Sequence, residues 1–194
     1  MKDREHHFTI EVPKIERRAD NRPVIVGHAA LFDTLSVPLY GFREKIQKGA
    51  FTESLKRGDD VRALFNHDET ILLGRTKNRT LSLREDERGL AVEIFPPDTA
   101  AARDVISLIE RGDVDQMSFG FRIVKDHKEI NEDGETIRTL IEVELFDVSP
   151  VTFPAYTATD VTLRALKAFT VEHEARAVVE PQARARGIEL AAVA

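Results

Sequence analysis

The sequence predicts a β-rich α+β fold, in which a mostly antiparallel barrel or strongly bent sheet carries helices on its outside. Two observations favour this fold. Strand-like segments outnumber helix-like ones, and they follow one another at short intervals with local turns between them. The length of 194 residues, with 42% hydrophobic and 32% charged residues, fits one ordinary soluble domain with appendages.

The elements follow from apolar alternation and from turn and cap residues, in chain order. The first seven residues, including His6 and His7, are expected to fray. Strands are predicted at 8–12, 23–32, 61–66, 71–76, 80–84 and 90–95, then around Ser118, and at 136–148 after a polar turn at 126–135. Helices are predicted at 49–55 and from a cap at Asp98 to Arg111-Gly112.

Composition limits the classes of protein that remain. The absence of cysteine excludes disulfides, thiolate metal sites and thiol nucleophiles. A net charge of −6 disfavours nucleic-acid binding, which needs a basic face. No apolar run reaches the roughly 18 residues of a membrane span, and the charged start lacks a signal-peptide pattern, so we expect a cytoplasmic protein.

We expect three regions along the chain. Residues 1–22 form an N-terminal strand and extension, and residues 23–160 form the main domain. Residues 161–194, rich in Ala, Arg and Glu, are expected to be a helical or flexible tail with a break at Pro181.

Ser118 is the first candidate for chemistry. It shares one strand face with Gly120 and Arg122, while the opposite face is apolar and predicts core. Gly120 would leave room beside the serine for a substrate backbone. If His67 lies nearby, a hydroxyl and an imidazole can act as nucleophile and base.

An acid that orients His67, as the third member of a serine–histidine–acid triad, is expected on the following strand. Glu142 and Glu144 share the face opposite Ile141, Val143 and Leu145, so alternation places these two carboxylates on a polar surface. A directly opposed pair leaves no room for an imidazole between its members, so His67 requires a diagonal or next-strand relation.

Other interpretations of these residues remain open. Ser149 is the rival nucleophile, although its alternation places it with the apolar residues and Pro150 follows it. Most serines and paired glutamates on strands are structural or solvated, and a histidine before Asp68-Glu69 is commonly a turn residue. A metal site made of His67 and these two acids lacks any recognised metal-ligand spacing. No metal and no cofactor are therefore expected.

A set of motifs in order along residues 24–157 resembles the prohead maturation proteases of tailed bacteriophages, which are related to the herpesvirus assemblins. The motifs are Gly27-His28-Ala29-Ala30-Leu31-Phe32, Gly49-Ala50-Phe51, Asn66-His67-Asp68, Leu73-Gly74-Arg75-Thr76, Gly89-Leu90, Met117-Ser118-Phe119-Gly120-Phe121 and Asp147-Val148-Ser149-Pro150-Val151-Thr152-Phe153-Pro154-Ala155-Tyr156.

The resemblance implies a closed, assemblin-like β-barrel surrounded by helices and a serine endopeptidase. Ser118 matches the nucleophile and His67 the base. Glu144 best matches the third member, with Glu142 and Asp147 as alternates, and alternation favours the glutamates. For the oxyanion and the substrate, the candidates are Val151, Thr152, Phe153, Arg75 and Gly120, with Arg122 a further candidate for assistance through water.

The resemblance also implies the partners. The substrate would be the scaffold segment of the capsid precursor, cut inside the assembling prohead in the cytoplasm of a bacterial host, with self-cleavage and trimming of the tail. Assemblin relatives act as dimers, which implies a homodimer; neither nucleic acid nor a membrane is implied. Two other functions compete: a non-catalytic scaffold or assembly protein with the same barrel, and a metal-dependent hydrolase using His67.

Overall fold

The computed structural model describes residues 4–9, 11–36, 38–39 and 41–152. The expected tail at 161–194 lies outside the described residues. The elements in chain order are β1 (Glu5–Thr9), β2 (Lys14–Arg17), β3 (Pro23–Leu31), β4 (Phe42–Ile46), α1 (Thr52–Arg57), β5 (Arg62–Phe65), β6 (Asp68–Arg75), β7 (Leu81–Glu85), β8 (Gly89–Ile94), α2 (Ala100–Arg111), β9 (Gln116–Ile130) and β10 (Thr136–Val151).

The strands form two sheets. One has the order β1-β9-β10-β5-β6 with β4 also paired to β10, and the other has the order β2-β3-β8-β7. An isolated bridge between Phe32 and Ile46 joins them. The β-rich class with few helices is confirmed, but both strand orders are open, so the closed, assemblin-like barrel is not confirmed for the described residues.

The longest strand, β10, organises the first sheet. One of its edges pairs antiparallel with β9 along most of its length. Its other edge is divided: residues 136–140 pair parallel with β4, and residues 147–148 pair parallel with β5. The end of β10 therefore lies between the beginning of the serine strand and the strand that leads to His67.

The apolar face of β9 anchors the serine strand in the core. Met117, Phe119 and Phe121 are fully buried. The Phe119 ring packs edge-on against Phe51 at 5.2 Å and lies 4.9 Å from Phe121. Because aromatic burial contributes strongly to core stability, this face holds β9 at a defined depth and orientation.

Several elements differ from the sequence predictions. The strand expected at 8–12 instead begins at Glu5, and β2 and β4 were not predicted. Glu44 explains the failure at β4, since a glutamate at a fully buried position disguises the apolar alternation. The second helix is capped by the Thr99 side chain, which accepts from the Ala102 amide, and not by Asp98.

Neither described helix is long and apolar enough to cross a membrane.

Candidate active site

His67 lies at the tip of the β5–β6 hairpin. Phe65 pairs with Asp68, which leaves Asn66 and His67 as a two-residue turn with φ of 53° and 58°. Tight hairpin turns of type I′ require positive φ at both central positions, and asparagine is common at the first. A histidine at the second position must adopt a left-handed backbone conformation, which is uncommon for residues other than glycine. Residues held in such conformations cluster at functional sites.

The tip of this hairpin is tied to the end of β10. The Asn66 amide donates to the carbonyl of Pro150 at 3.1 Å. The Asn66 side-chain oxygen accepts from the Thr152 amide at 2.9 Å. These contacts fix the direction in which the His67 ring leaves the turn.

The His67 ring bridges β9 and β10. Its Nε2 lies 2.6 Å from Ser118 Oγ, and its Nδ1 lies 2.5 Å from Asp147 Oδ1. Ser118 Oγ also lies 2.9 Å from the main-chain carbonyl oxygen of His7. The structure thus brings together the two residues that the sequence paired, Ser118 and His67, with a carboxylate on the far side of the ring.

Asp147 is the carboxylate beside His67, and it is 3% exposed. Burial raises its pKa, but the hydrogen bond with His67 and the positive charge of that ring, together with the Ser149 hydroxyl at 3.1 Å, hold the pKa of Asp147 below its ordinary value. An ionised carboxylate only accepts hydrogen bonds, so Nδ1 donates to Asp147. When the ring is neutral, Nε2 is then an acceptor facing Ser118.

Glu144, the expected third member, lies elsewhere. It pairs in register with Arg122 on β9 and makes a close ion pair with that guanidinium. Arg122 is four residues from Ser118, about 14 Å along a strand at about 3.4 Å per residue. Glu142 lies still further along, opposite Lys125. Both glutamates occupy the polar side as expected, but neither is at His67.

A β-bulge explains why alternation along β10 did not predict the position of Asp147. Phe121 pairs with Leu145, but Gly120 pairs with Asp147, so Phe146 is an extra residue on β10. One inserted residue reverses the faces of everything after it. Asp147 and Ser149 therefore lie on the face of Ser118, and Ser149 pairs directly with Ser118.

Gly120 serves a different purpose from the one expected. A Cβ at this position would lie 2.1 Å from Asp147 Oδ2. The space beside the serine strand is therefore filled by the carboxylate and does not form an opening for a substrate backbone.

The remaining oxyanion and substrate candidates have other partners in this state. Arg75 donates from Nε to Asp60 at 2.7 Å, and the Thr152 amide is bonded to Asn66. Val151 continues the pairing of β10 opposite Gln116. Phe153 lies outside the described residues.

His6 is a site residue that the sequence argument missed. Its ring centroid lies 3.9 Å from that of His67. Burial, and then the nearby charge of His67, lower the pKa of His6 to about 4, so His6 is neutral at pH 7. Extending the first predicted strand toward the N-terminus would have placed His6 and His7 on opposite faces of an ordered strand.

Three residues of this site also have side chains of the types that bind metal ions. Ligand atoms of His6, His67 and Asp147 lie within 4.8 Å of one another, so these residues could approach one cation. Two of them are already hydrogen-bonded to each other. The acids considered in the sequence are engaged elsewhere: Asp68 accepts from Thr70, and Glu69 pairs with Arg4.

The arrangement of Ser118, His67 and Asp147 is suited to nucleophilic catalysis. A hydroxyl, an imidazole and a carboxylate in line allow the ring to take the hydroxyl proton while the carboxylate holds the tautomer and balances the imidazolium. The hydrogen-bond distances are those expected of a nucleophile, its base and an orienting acid.

Comparisons with known proteins give one family match and one structural neighbour. Residues 8–175 match the family model described as caudovirus prohead serine protease. Among solved structures, the capsid assembly protease gp21 of bacteriophage T4 aligns with 10% identity and a TM-score of 0.45, covering 76% of this chain and 98% of that chain. No curated protein matches the chain.

Proposed function

This chain belongs to the caudovirus prohead serine protease family, and we propose that it is a serine endopeptidase whose nucleophile, base and orienting acid are Ser118, His67 and Asp147. The observation that carries the proposal is the unbroken series of contacts from Ser118 Oγ through both ring nitrogens of His67 to Asp147. Asp147 replaces Glu144 as our candidate for the third member.

The first half of the reaction forms an acyl-enzyme. Ser118 Oγ attacks the carbonyl carbon of the scissile peptide while its proton passes to His67 Nε2. The tetrahedral intermediate then collapses, the C–N bond breaks, and His67 gives the proton to the departing amine.

The second half repeats the proton transfers with water. His67 deprotonates a water molecule that attacks the ester, and the proton returns to Ser118 Oγ as the new carboxylate leaves. Asp147 stabilises the imidazolium in both halves. The main chain at 151–153 stays our proposed source of oxyanion donors, which requires the Thr152 amide to exchange its bond with Asn66.

The family supports the choice of substrate. We propose that the chain removes the scaffold segment from the capsid precursor within the immature prohead, in the bacterial host, and that it also cleaves itself. Trimming of its tail and action as a homodimer belong to the same proposal.

Co-expression with a capsid precursor tests the function. The wild-type chain should shorten the precursor on a denaturing gel, and Ser118→Ala should leave it intact with unchanged thermal unfolding. Ser82→Ala is the matched control, because Ser82 is an exposed serine on β7 and should cleave like the wild type.

Two further arms separate the competing functions. Ser149→Ala should retain cleavage at a reduced rate, because the Ser149 hydroxyl lies 3.1 Å from Asp147 Oδ1 and 3.4 Å from His67 Nδ1, on the far side of the ring from Ser118. Complete loss of cleavage by Ser149→Ala, with Ser118 still fully labelled by a serine reagent, would favour Ser149 as the nucleophile. Cleavage should persist in a chelator. Sensitivity to the chelator without sensitivity to serine reagents would support a metal-dependent hydrolase, and an intact precursor with the wild-type chain would support a scaffold protein.

A further inference from the structure

The N-terminal strand β1 covers the candidate nucleophile. It forms the outer edge of its sheet, paired antiparallel to β9 over five residues, with Phe8 in register with Ser118. Ser118 is fully buried. A peptide bond cannot approach the hydroxyl while β1 occupies this edge.

The main chain of β1 contacts the candidate nucleophile directly. Ser118 Oγ donates a hydrogen bond to the carbonyl oxygen of His7 at 2.9 Å. The hydroxyl has one proton and two acceptors within reach, this carbonyl and His67 Nε2. The bond to His7 therefore competes with the proton transfer that activates the serine.

Side chains on both faces of β1 hold it in this position. On one face, His7 contacts the buried carboxylate of Glu44 at 2.6 Å, and Glu5 pairs with Arg138 at 2.6 Å. On the other face, the His6 ring lies against His67. The family match begins at residue 8, so these residues belong to a part of this chain outside the matched region.

Other features indicate that β1 can leave. As a five-residue strand at the edge of its sheet, β1 pairs with one strand, β9, and its other edge pairs with no described strand. His6 Nδ1 is buried and has no hydrogen-bond partner among the described residues, which disfavours the conformation with β1 paired to β9. The Arg4–Glu69 pair at 3.1 Å is exposed on both sides and screened by salt.

We propose that β1 is an intramolecular stand-in for the substrate: it occupies the edge of β9 on which an extended peptide segment binds, and it must leave this edge before Ser118 can react. Departure of β1 exposes a row of main-chain donors and acceptors on β9, to which an extended chain can add as a strand. This inference rests on the proposed function.

A reversible cross-link tests the inference in the full chain. The chain has no cysteine, so Arg4→Cys with Glu69→Cys introduces two unique thiols across the gap between β1 and the His67 hairpin. A bis-maleimide with a disulfide in its spacer locks β1, and a reducing agent releases it. The readout is the rate at which a fluorophosphonate labels Ser118, forming the Oγ–P bond and expelling fluoride, with the labelled residue located by peptide mass spectrometry.

The locked protein should be labelled at least tenfold more slowly than the same sample after reduction. Glu5→Ala should be labelled several times faster than the wild type, because it loses the contact with Arg138. Glu87→Ala is the matched control, since Glu87 is exposed and pairs with Lys48, and its rate should not change.

The results distinguish failure of the proposed role of β1 from failure of the proposed serine protease function. Equal rates in the locked and released states, with Ser118 labelled in both, would overturn the role of β1 and leave the protease intact. Absence of Ser118 labelling in every state, released and Glu5→Ala included, would refute the proposed function and the inference that rests on it.

Discussion

Replacing Gly120 by alanine tests the coupling between the serine strand and the carboxylate. The φ of Gly120 is not in the left-handed region, so the backbone accepts alanine and the effect is steric. The new Cβ would lie 2.1 Å from Asp147 Oδ2, about 1.3 Å short of ordinary contact at 3.4 Å. Asp147 is buried and must move away from the Cβ.

The displacement predicts a loss of activity and of stability. Moving the carboxylate by about 1 Å breaks the 2.5 Å contact with His67, and misplacement on this scale costs about 10²-fold in rate. Overpacking a filled site costs about 1–3 kcal/mol. For a chain of this size, that lowers Tm by about 2–4 °C per kcal/mol.

Gly27→Ala provides the matched control for Gly120→Ala. Its Cβ would lie 3.4 Å from the nearest atom, Pro13 Cα, which the backbone can accommodate with little movement. We expect its Ser118 labelling rate to match the wild type and its Tm to change little. Fluorophosphonate labelling and thermal unfolding of both variants check this, and a Gly120→Ala variant as active as Gly27→Ala would refute the assigned role of Asp147.

Three other predictions concern the carboxylates and the second histidine. Asp147→Asn should lower kcat about 10⁴-fold, as loss of the orienting charge does in triad enzymes; precursor cleavage measures this, and near wild-type turnover would exclude Asp147. Glu144→Gln should keep the labelling rate within about twofold and cost at most about 1 kcal/mol in urea unfolding, since its pair with Arg122 is part-exposed; a Glu144→Gln variant as slow as Asp147→Asn would restore Glu144. The pKa of His6 falls from 6.5 in the unfolded chain to about 4 in the folded protein. The contribution of neutral His6 to the free energy of unfolding is therefore complete above pH 6.5 and is lost as the pH falls to 4. That loss is at most about 3 kcal/mol. His6→Phe should remove this part of the slope in urea titrations between pH 4 and 7, and parallel curves for the two proteins would contradict it.

The amino-acid sequence by itself determined the strand carrying Ser118, the strands on either side of His67 and the family. Each depends on short-range information. Apolar alternation predicts which face of β9 is core, and it predicts a strand on each side of His67. The ordered motifs identify the family because they depend on residue order and not on contacts.

Tertiary structure decided which carboxylate lies beside His67 and which strand covers Ser118. Alternation assigns faces only while the two-residue repeat is unbroken, and the extra residue at Phe146 turns Asp147 toward His67 in place of a glutamate. The position of β1 depends on pairing with residues more than a hundred positions away. A bulge and a long-range strand pair both arise from the register between distant strands, and no local pattern in the chain encodes that register.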